Sequence, residues 1–227
     1  MFLVKVGKKE HLEEFSNGYI YFNPISYFKE DSTLFRGDKN EGLYYMDTSG
    51  GVKLDDIELL DIFERVEVTT SFTNVDNVLL FCASILNNNN FYLNDNNQML
   101  IKGAFYQEMR KFGQYAVIFD MEIFIKNLNS ALKNIKCNMH WGQVNYCDKT
   151  KYDDVMTCLS NSKKSEDVAI FFLKDKAGYE QQNEWRYAIE YNSPNIVLNE
   201  NNGFKIKIDS FPTRLLNLDA LDKFIST

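Results

Sequence analysis

Residues 114–120, QYAVIFD, are apolar through their centre without alternation, and they run directly into a helical repeat. A short continuous apolar run is the pattern of a strand buried on both faces. In the segment that follows, MEIFIKNLNSALKN, apolar residues fall at 121, 124, 125, 128, 131 and 132, which is one face of a helix. Such a strand and such a helix belong in a layered domain of sheet and helix.

The rest of the chain extends that layout. Strands are expected at 2–6, 19–23, 43–47, 65–72, 78–85, 140–147, 168–174, 185–191 and 204–208, from their β-branched and aromatic content. Helices are expected at 8–18, 25–28, 102–113, 121–134, 152–161 and 218–225. Gly18 is suited to the left-handed position that ends the first helix. Strands outnumber helices and do not alternate with them, which predicts an α+β domain rather than a doubly wound one. With 3 Pro and 11 Gly and no Pro- or Ser-rich linker, residues 1–227 read as one domain. Its central sheet, mixed or antiparallel, should include 79–85, 115–120 and 185–191. Residues 29–42 read as a polar loop and the Asn-rich 86–98 as a surface loop.

Charge and cysteine usage narrow the function classes. Lys and Arg total 25 against 32 Asp and Glu, a formal net charge of −7. Constitutive duplex binding normally requires a basic surplus, so it is not expected; a nucleic acid as transient substrate stays open. Four cysteines form no C-x-x-C pair and the two histidines, His11 and His140, lie far apart, so no structural zinc or other metal is expected. The start, MFLVKVGKKE, turns charged too early for a secretory signal. No apolar run approaches the roughly 18 residues of a membrane span. A soluble cytoplasmic protein is expected. The 18 Phe and 13 Tyr suit either a stacking pocket or a protein interface.

No G-x-S-x-G elbow, P-loop or G-x-G-x-x-G is present. Chemistry therefore falls to carboxylates, amides and tyrosines. FRGDKNEG holds Arg36, Asp38, Asn40 and Glu41 in a loop bounded by two glycines. It is either a solvated loop or a device that orients a polar ligand. QQNEWR holds Gln182 and Glu184 two residues apart, on one side of an extended chain, with Arg186 next on that side. Two readings stand here as well: a same-face Glu184–Arg186 ion pair, or a solvated carboxylate at a pocket mouth.

Five features in order resemble a large, poorly characterised bacterial family of stand-alone domains. They are Gly18 to Phe22 followed by Phe28 and the Asp38/Glu41 loop; Phe81-Cys82-Ala83-Ser84 as a strand ending C-x-S; GQYAVIFD; Val144 and Tyr146; and Lys176, Tyr179, Gln182, Glu184, Trp185 and Arg186 as a late E-x-E-[WF]-R block. The resemblance spans roughly residues 15–191. That family is in turn distantly similar to ADP-ribosyltransferases, and the resemblance implies an ADP-ribosyltransferase-like fold with NAD as substrate. It implies Glu184 as the catalytic carboxylate that stabilises an oxocarbenium-like ribose. Gln182 would orient the acceptor, and Arg36 would clamp phosphate. Asp38, Glu41, Ser84 and Arg186 would complete the NAD site. The transferase pattern places Arg or His on the first strand, where this chain has Val4 and Lys5, and Arg36 is the loop's replacement cation. No S-T-S accompanies Ser84. A toxin or phage-defence effector follows, with a protein or nucleic-acid acceptor and a neutralising or sensor partner. Two alternatives remain. One is a non-enzymatic interaction domain of a defence or counter-defence system, in which these charges lock loops. The other is a carboxylate-based nuclease, if Asp38, Glu41 and Glu184 meet in space.

Overall fold

One long strand, Val78–Leu86, has two different neighbours along the same edge, and this fork organises the molecule. The computed structural model describes residues 1–32, 37–47, 53–54, 57–58, 68–71, 77–93, 99–191, 196–199 and 202–219. The chain runs β1 (Phe2–Gly7), α1 (Lys9–Ser16), β2 (Tyr19–Pro24), α2 (Ile25–Glu30), β3 (Leu43–Asp47), β4 (Lys53–Leu54), β5 (Ile57–Glu58), β6 (Val68–Ser71) and β7 (Val78–Leu86). It continues through β8 (Phe91–Leu93), β9 (Met99–Ile101), α3 (Gly103–Arg110), β10 (Tyr115–Asp120), α4 (Met121–Leu132), β11 (Cys137–Gln143) and β12 (Asn145–Cys147). Last come α5 (Tyr152–Asn161), α6 (Glu166–Ala169), β13 (Leu173–Asp175), β14 (Glu184–Tyr191), β15 (Phe204–Lys207) and β16 (Thr213–Asn217).

The main sheet has eight strands in the order β11-β14-β7-β1-β10-β16, with β2 joining β7 and β15 joining β2. All of its pairings are antiparallel. The result is a single α+β domain, as the strand-rich, non-alternating order predicts. Among the described residues, no helix is long and apolar enough to cross a membrane.

Alternation decides which side chain faces which layer. Leu79, Phe81, Ala83 and Ile85 of β7, with Trp185, Tyr187 and Ile189 of β14, enter the main core against α1 and α4. The aromatic surplus fills this core: Phe15 lies 4.9 Å from Phe119, and Phe81 lies 5.0 Å from Phe124. The helix α4 is anchored by Asp120, which accepts from the N–H groups of Glu122 and Ile123 and caps its first turn. Its buried stripe is Phe124, Leu128 and Leu132, each one turn apart.

The other face changes character along the strands. Val78, Leu80 and Ala188 pack on Ile25, Ile170, Phe171 and Phe172. Two and four residues further along, the same face carries Cys82 and Ser84 of β7 opposite Arg186 and Glu184 of β14. The fork lies at this transition. There β1 pairs with Ser84–Leu86 and β2 with Leu79–Leu80, and the Lys5 ammonium donates to the Cys82 carbonyl between them at 2.8 Å.

Gly18 has φ +84°, as the helix-ending position requires, and a Cβ there would lie 2.6 Å from the Ile208 carbonyl oxygen. Gly18→Ala is expected to cost about 1–3 kcal/mol, read as a thermal midpoint lower by roughly 3–10 °C. An unchanged midpoint would show that the segment at Ile208 yields freely.

Several segments depart from expectation. Residues 168–174 are not one strand: α6 and a 3-10 turn at Ile170–Phe172 precede the short β13. Val168 to Phe172 are all buried, and a run without periodicity does not distinguish a buried helix from a buried strand. The strand expected at 140–147 breaks at Val144, with β11 in the main sheet and β12 parallel to β13. Of the loop expected at 86–98, residues 91–93 form β8, which pairs with β9 beyond it, and 94–98 lie outside the described residues; Asn90 turns the chain by accepting from Asn87 N–H and donating to the Ile85 carbonyl. The edge strand β16 has no strong apolar alternation and was not expected. Of the helix expected at 218–225, residues 220–225 lie outside the described residues, as do 65–67 and 72 of the strand expected at 65–72.

Candidate functional site

The polar run before β14 is built as a hinge. Glu180–Gln182 form a 3-10 turn, and Asn183 adopts a left-handed conformation with φ 47°. Asn183 is held on three sides: its carbonyl accepts from Ile85 N–H, its side chain donates to the Ile85 carbonyl, and it accepts from Gln143. Asn is among the few residues that tolerate this backbone. Gln182 and Glu184 do end on the same side. The left-handed turn puts them there, not an extended chain.

Both side chains converge on Lys174 of β13. Its ammonium donates to Gln182 Oε1 at 3.1 Å and to Glu184 Oε2 at 2.9 Å, and lies 4.5 Å from the Tyr179 ring centre. Glu184 Oε1 accepts from Arg186 Nε at 2.7 Å. The Arg186 fork then grips both oxygens of Glu41, at 2.6 and 2.8 Å, and donates to the Phe171 carbonyl at 2.8 Å. A planar guanidinium suits this bidentate geometry. The Glu184 N–H donates to Tyr146 Oη at 2.9 Å, and Tyr179 Oη donates to the Gly37 carbonyl at 2.6 Å. Asp38 Oδ1 accepts from the Asn40 N–H, and Lys149 Nζ donates to the Asn40 carbonyl.

Three carboxylates, Asp38, Glu41 and Glu184, thus meet three cations, Lys149, Lys174 and Arg186, and all six are buried. A solvated rim for Glu184 is overturned: the residue is 5% exposed and Arg186 1%. Asp38 and Glu41 of the polar loop are likewise buried, while Lys39 between them is exposed; Arg186 draws Glu41 onto the sheet. Arg36 lies outside the described residues. Ser84 is half-buried and sits directly opposite Glu184 on one side and Val4 on the other.

Lys149 and Lys174 escaped the sequence reading. Lys174 closes the apolar run VAIFFLK, a position where a lysine has to find a buried partner; nothing in the sequence around Lys149 marks it. The lysine quoted in the motif, Lys176, pairs instead with Glu180 at the surface, at 3.8 Å.

Electrostatics follow from burial and pairing. Burial alone would raise the Glu184 carboxyl; Arg186 and then Lys174 more than reverse this and hold it well below the usual carboxylate range. Burial and Arg186 oppose each other in the same way at Glu41, and its pKa is also lowered. Asp38 goes the other way, raised by burial and by the neighbouring Glu41. Burial, then Asp38 and Glu41, push the Tyr179 hydroxyl up to about 12. Burial raises the Cys82 thiol, which keeps it protonated and a poor nucleophile.

A pH dependence follows. Glu41 and Glu184 contribute stability that is present above their ordinary value of 4.5 and lost as pH falls toward their depressed values. Asp38, with its raised pKa, favours folding at low pH, but it is one group against two. The thermal midpoint should fall steeply below about pH 4.5, and Glu184→Gln should flatten that slope. A midpoint constant between about pH 5 and 3 would contradict the assignment.

The three carboxylates belong to one charged network, whereas a nuclease needs them gathered at one point. Glu41 and Glu184 engage their oxygens with Arg186 and Lys174 rather than facing one another. Among the described residues, no group of three or more His, Cys, Asp or Glu is placed to share a cation. No protein-family model matches the chain, and no curated protein or solved structure matches it either.

Proposed function

We propose that the chain is an ADP-ribosyltransferase-like domain that takes NAD as its substrate at this charged locus. The observation that carries the proposal is a transverse row across three neighbouring strands: Val4 on β1, Ser84 on β7 and Glu184 on β14 are direct cross-strand partners. These are the three positions, first-strand residue, strand Ser and late-strand Glu, that the transferase pattern draws from distant parts of a sequence. Lys5, next to Val4, turns toward the opposite face of the sheet, with its ammonium in the fork, bonded to the Cys82 carbonyl and 4.3 Å from the Phe81 ring centre.

Breaking the bond between nicotinamide nitrogen and ribose C1′ leaves positive charge on the ribose, and nicotinamide departs with the bonding electrons. Glu184, held ionised by its cationic neighbours, is a fixed negative charge for that ribose. Gln182, held through Lys174, lies beside it where an acceptor would attack. The acceptor is water, a protein side chain or a nucleic acid. In a bacterial cell, such a reaction suits a toxin or phage-defence effector with a neutralising partner. The test is release of nicotinamide from NAD by the purified chain, with and without Glu184→Gln.

A second reading is favoured by a specific observation. Both Glu184 oxygens are paired and the Arg186 fork is committed to Glu41. In a non-enzymatic interaction domain, those bonds would serve to lock the Asp38–Glu41 loop onto β14. Such a domain would show the stability effects of these residues and no turnover.

A further inference from the structure

Half of the charged locus is fully paired and half is not. Asp38 is 3% exposed; its Oδ1 accepts from Asn40, while Oδ2 is buried and accepts no hydrogen bond among the described residues. Beside it, Lys149 is fully buried, and among the described residues its one hydrogen bond goes to the Asn40 carbonyl at 2.8 Å. An ammonium has three N–H donors. An acceptor and a cation with unused capacity are therefore held together, one at each end of Asn40. Leaving such groups unmatched is costly.

The group that completes both is neutral and carries a donor and an acceptor together. A phosphate would be repelled by Asp38 and Glu41, and a cation by Lys149 and Lys174. A hydroxyl donates to the carboxylate and accepts from the ammonium. The Tyr179 ring close by already carries Lys174 on one face, which leaves it less free to stack on a flat ring.

We propose that Asp38 and Lys149 are the ribose-reading pair of the site, with Asp38 Oδ2 accepting from a ribose hydroxyl of the bound dinucleotide and Lys149 donating to that sugar. Carboxylates read ribose hydroxyls in other dinucleotide sites by the same chemistry. The assignment rests on the NAD-handling function proposed above.

Calorimetric titration with NAD, ADP-ribose and nicotinamide, on wild type, Asp38→Asn and Lys149→Met, tests it, together with thermal midpoints without ligand. Asp38→Asn should weaken NAD and ADP-ribose about 10–100-fold, the effect of losing a hydrogen bond to a charged group. Nicotinamide affinity should not change. The Asp38→Asn midpoint should change little, since Glu41 remains as a negative neighbour of Lys149 and no bond to Oδ2 is lost. Lys149→Met should weaken the same two ligands. Unchanged NAD and ADP-ribose affinities in both variants would overturn the assignment and leave NAD binding intact. An Asp38→Asn chain that loses many degrees, or fails to fold, would make Asp38 structural and also overturn it. Equal weakening of nicotinamide would move Asp38 to the carboxamide. Wild type that binds none of the three would remove the NAD function itself, and this pair with it.

Discussion

Arg186→Met is expected to lower the thermal midpoint by roughly 6–20 °C. The arginine is 1% exposed, and so is Glu41, whose two oxygens its fork holds. Methionine fills much of the volume but strands Glu41 in the interior, and Glu184 loses its Nε partner. Breaking a buried ion pair on one side costs about 3–5 kcal/mol. In a chain of this size each kcal/mol moves the midpoint by about 2–4 °C. Lysine should not rescue the loss, because a single ammonium cannot reproduce the fork. Arg186→Met combined with Glu41→Leu should recover part of it, since Glu184 keeps Lys174 and the orphaned charge is gone. A fall of less than about 2 °C in the single variant would mean that the network is worth no more than an exposed ion pair.

The sheet was legible because its strands are simple. Val78–Phe81 and Ala116–Phe119 read as short unbroken apolar runs at the centre of the sheet; α4 shows one clean stripe. The segment at 168–172 was misread because full burial erases the period that separates helix from strand. The edge strand β16 was missed because a half-exposed strand has little apolar pattern. At the site, QQNEWR was legible as a polar run meeting a strand, but its environment was not. Sequence spacing put Gln182 and Glu184 together, whereas burial depends on Glu41, 143 residues away from Glu184, being carried to β14 by the fold. Lys149 was invisible for the same reason, since a buried lysine is recognised by its partners and those come from another segment; Lys174 showed only as the charged end of an apolar run. The row of Val4, Ser84 and Glu184 depends on the register of β1, β7 and β14, which no local pattern encodes.

Glu184→Gln should cost the chain its turnover. The substitution keeps shape and removes the charge that, under the proposed transferase function, faces a developing oxocarbenium ion. Loss of a catalytic carboxylate typically lowers rates by about 10²–10⁴. Because Glu184 is buried between Arg186 and Lys174, stability should fall as well, unlike for a carboxylate at a solvated rim. The two effects are separated by assaying at a temperature where both proteins are folded. Gly18→Ala serves as a control, destabilised at a position remote in kind from the chemistry.

Nicotinamide released from NAD, measured on folded wild type, Glu184→Gln and Gly18→Ala under one set of conditions, is the decisive quantity. Wild type and Gly18→Ala should release nicotinamide well above the protein-free rate, and Glu184→Gln should fall about 10²–10⁴ below them. No release from folded wild type, with Glu184→Gln showing only a lower midpoint, would contradict the transferase assignment and leave the charged network as a lock on the Asp38–Glu41 loop.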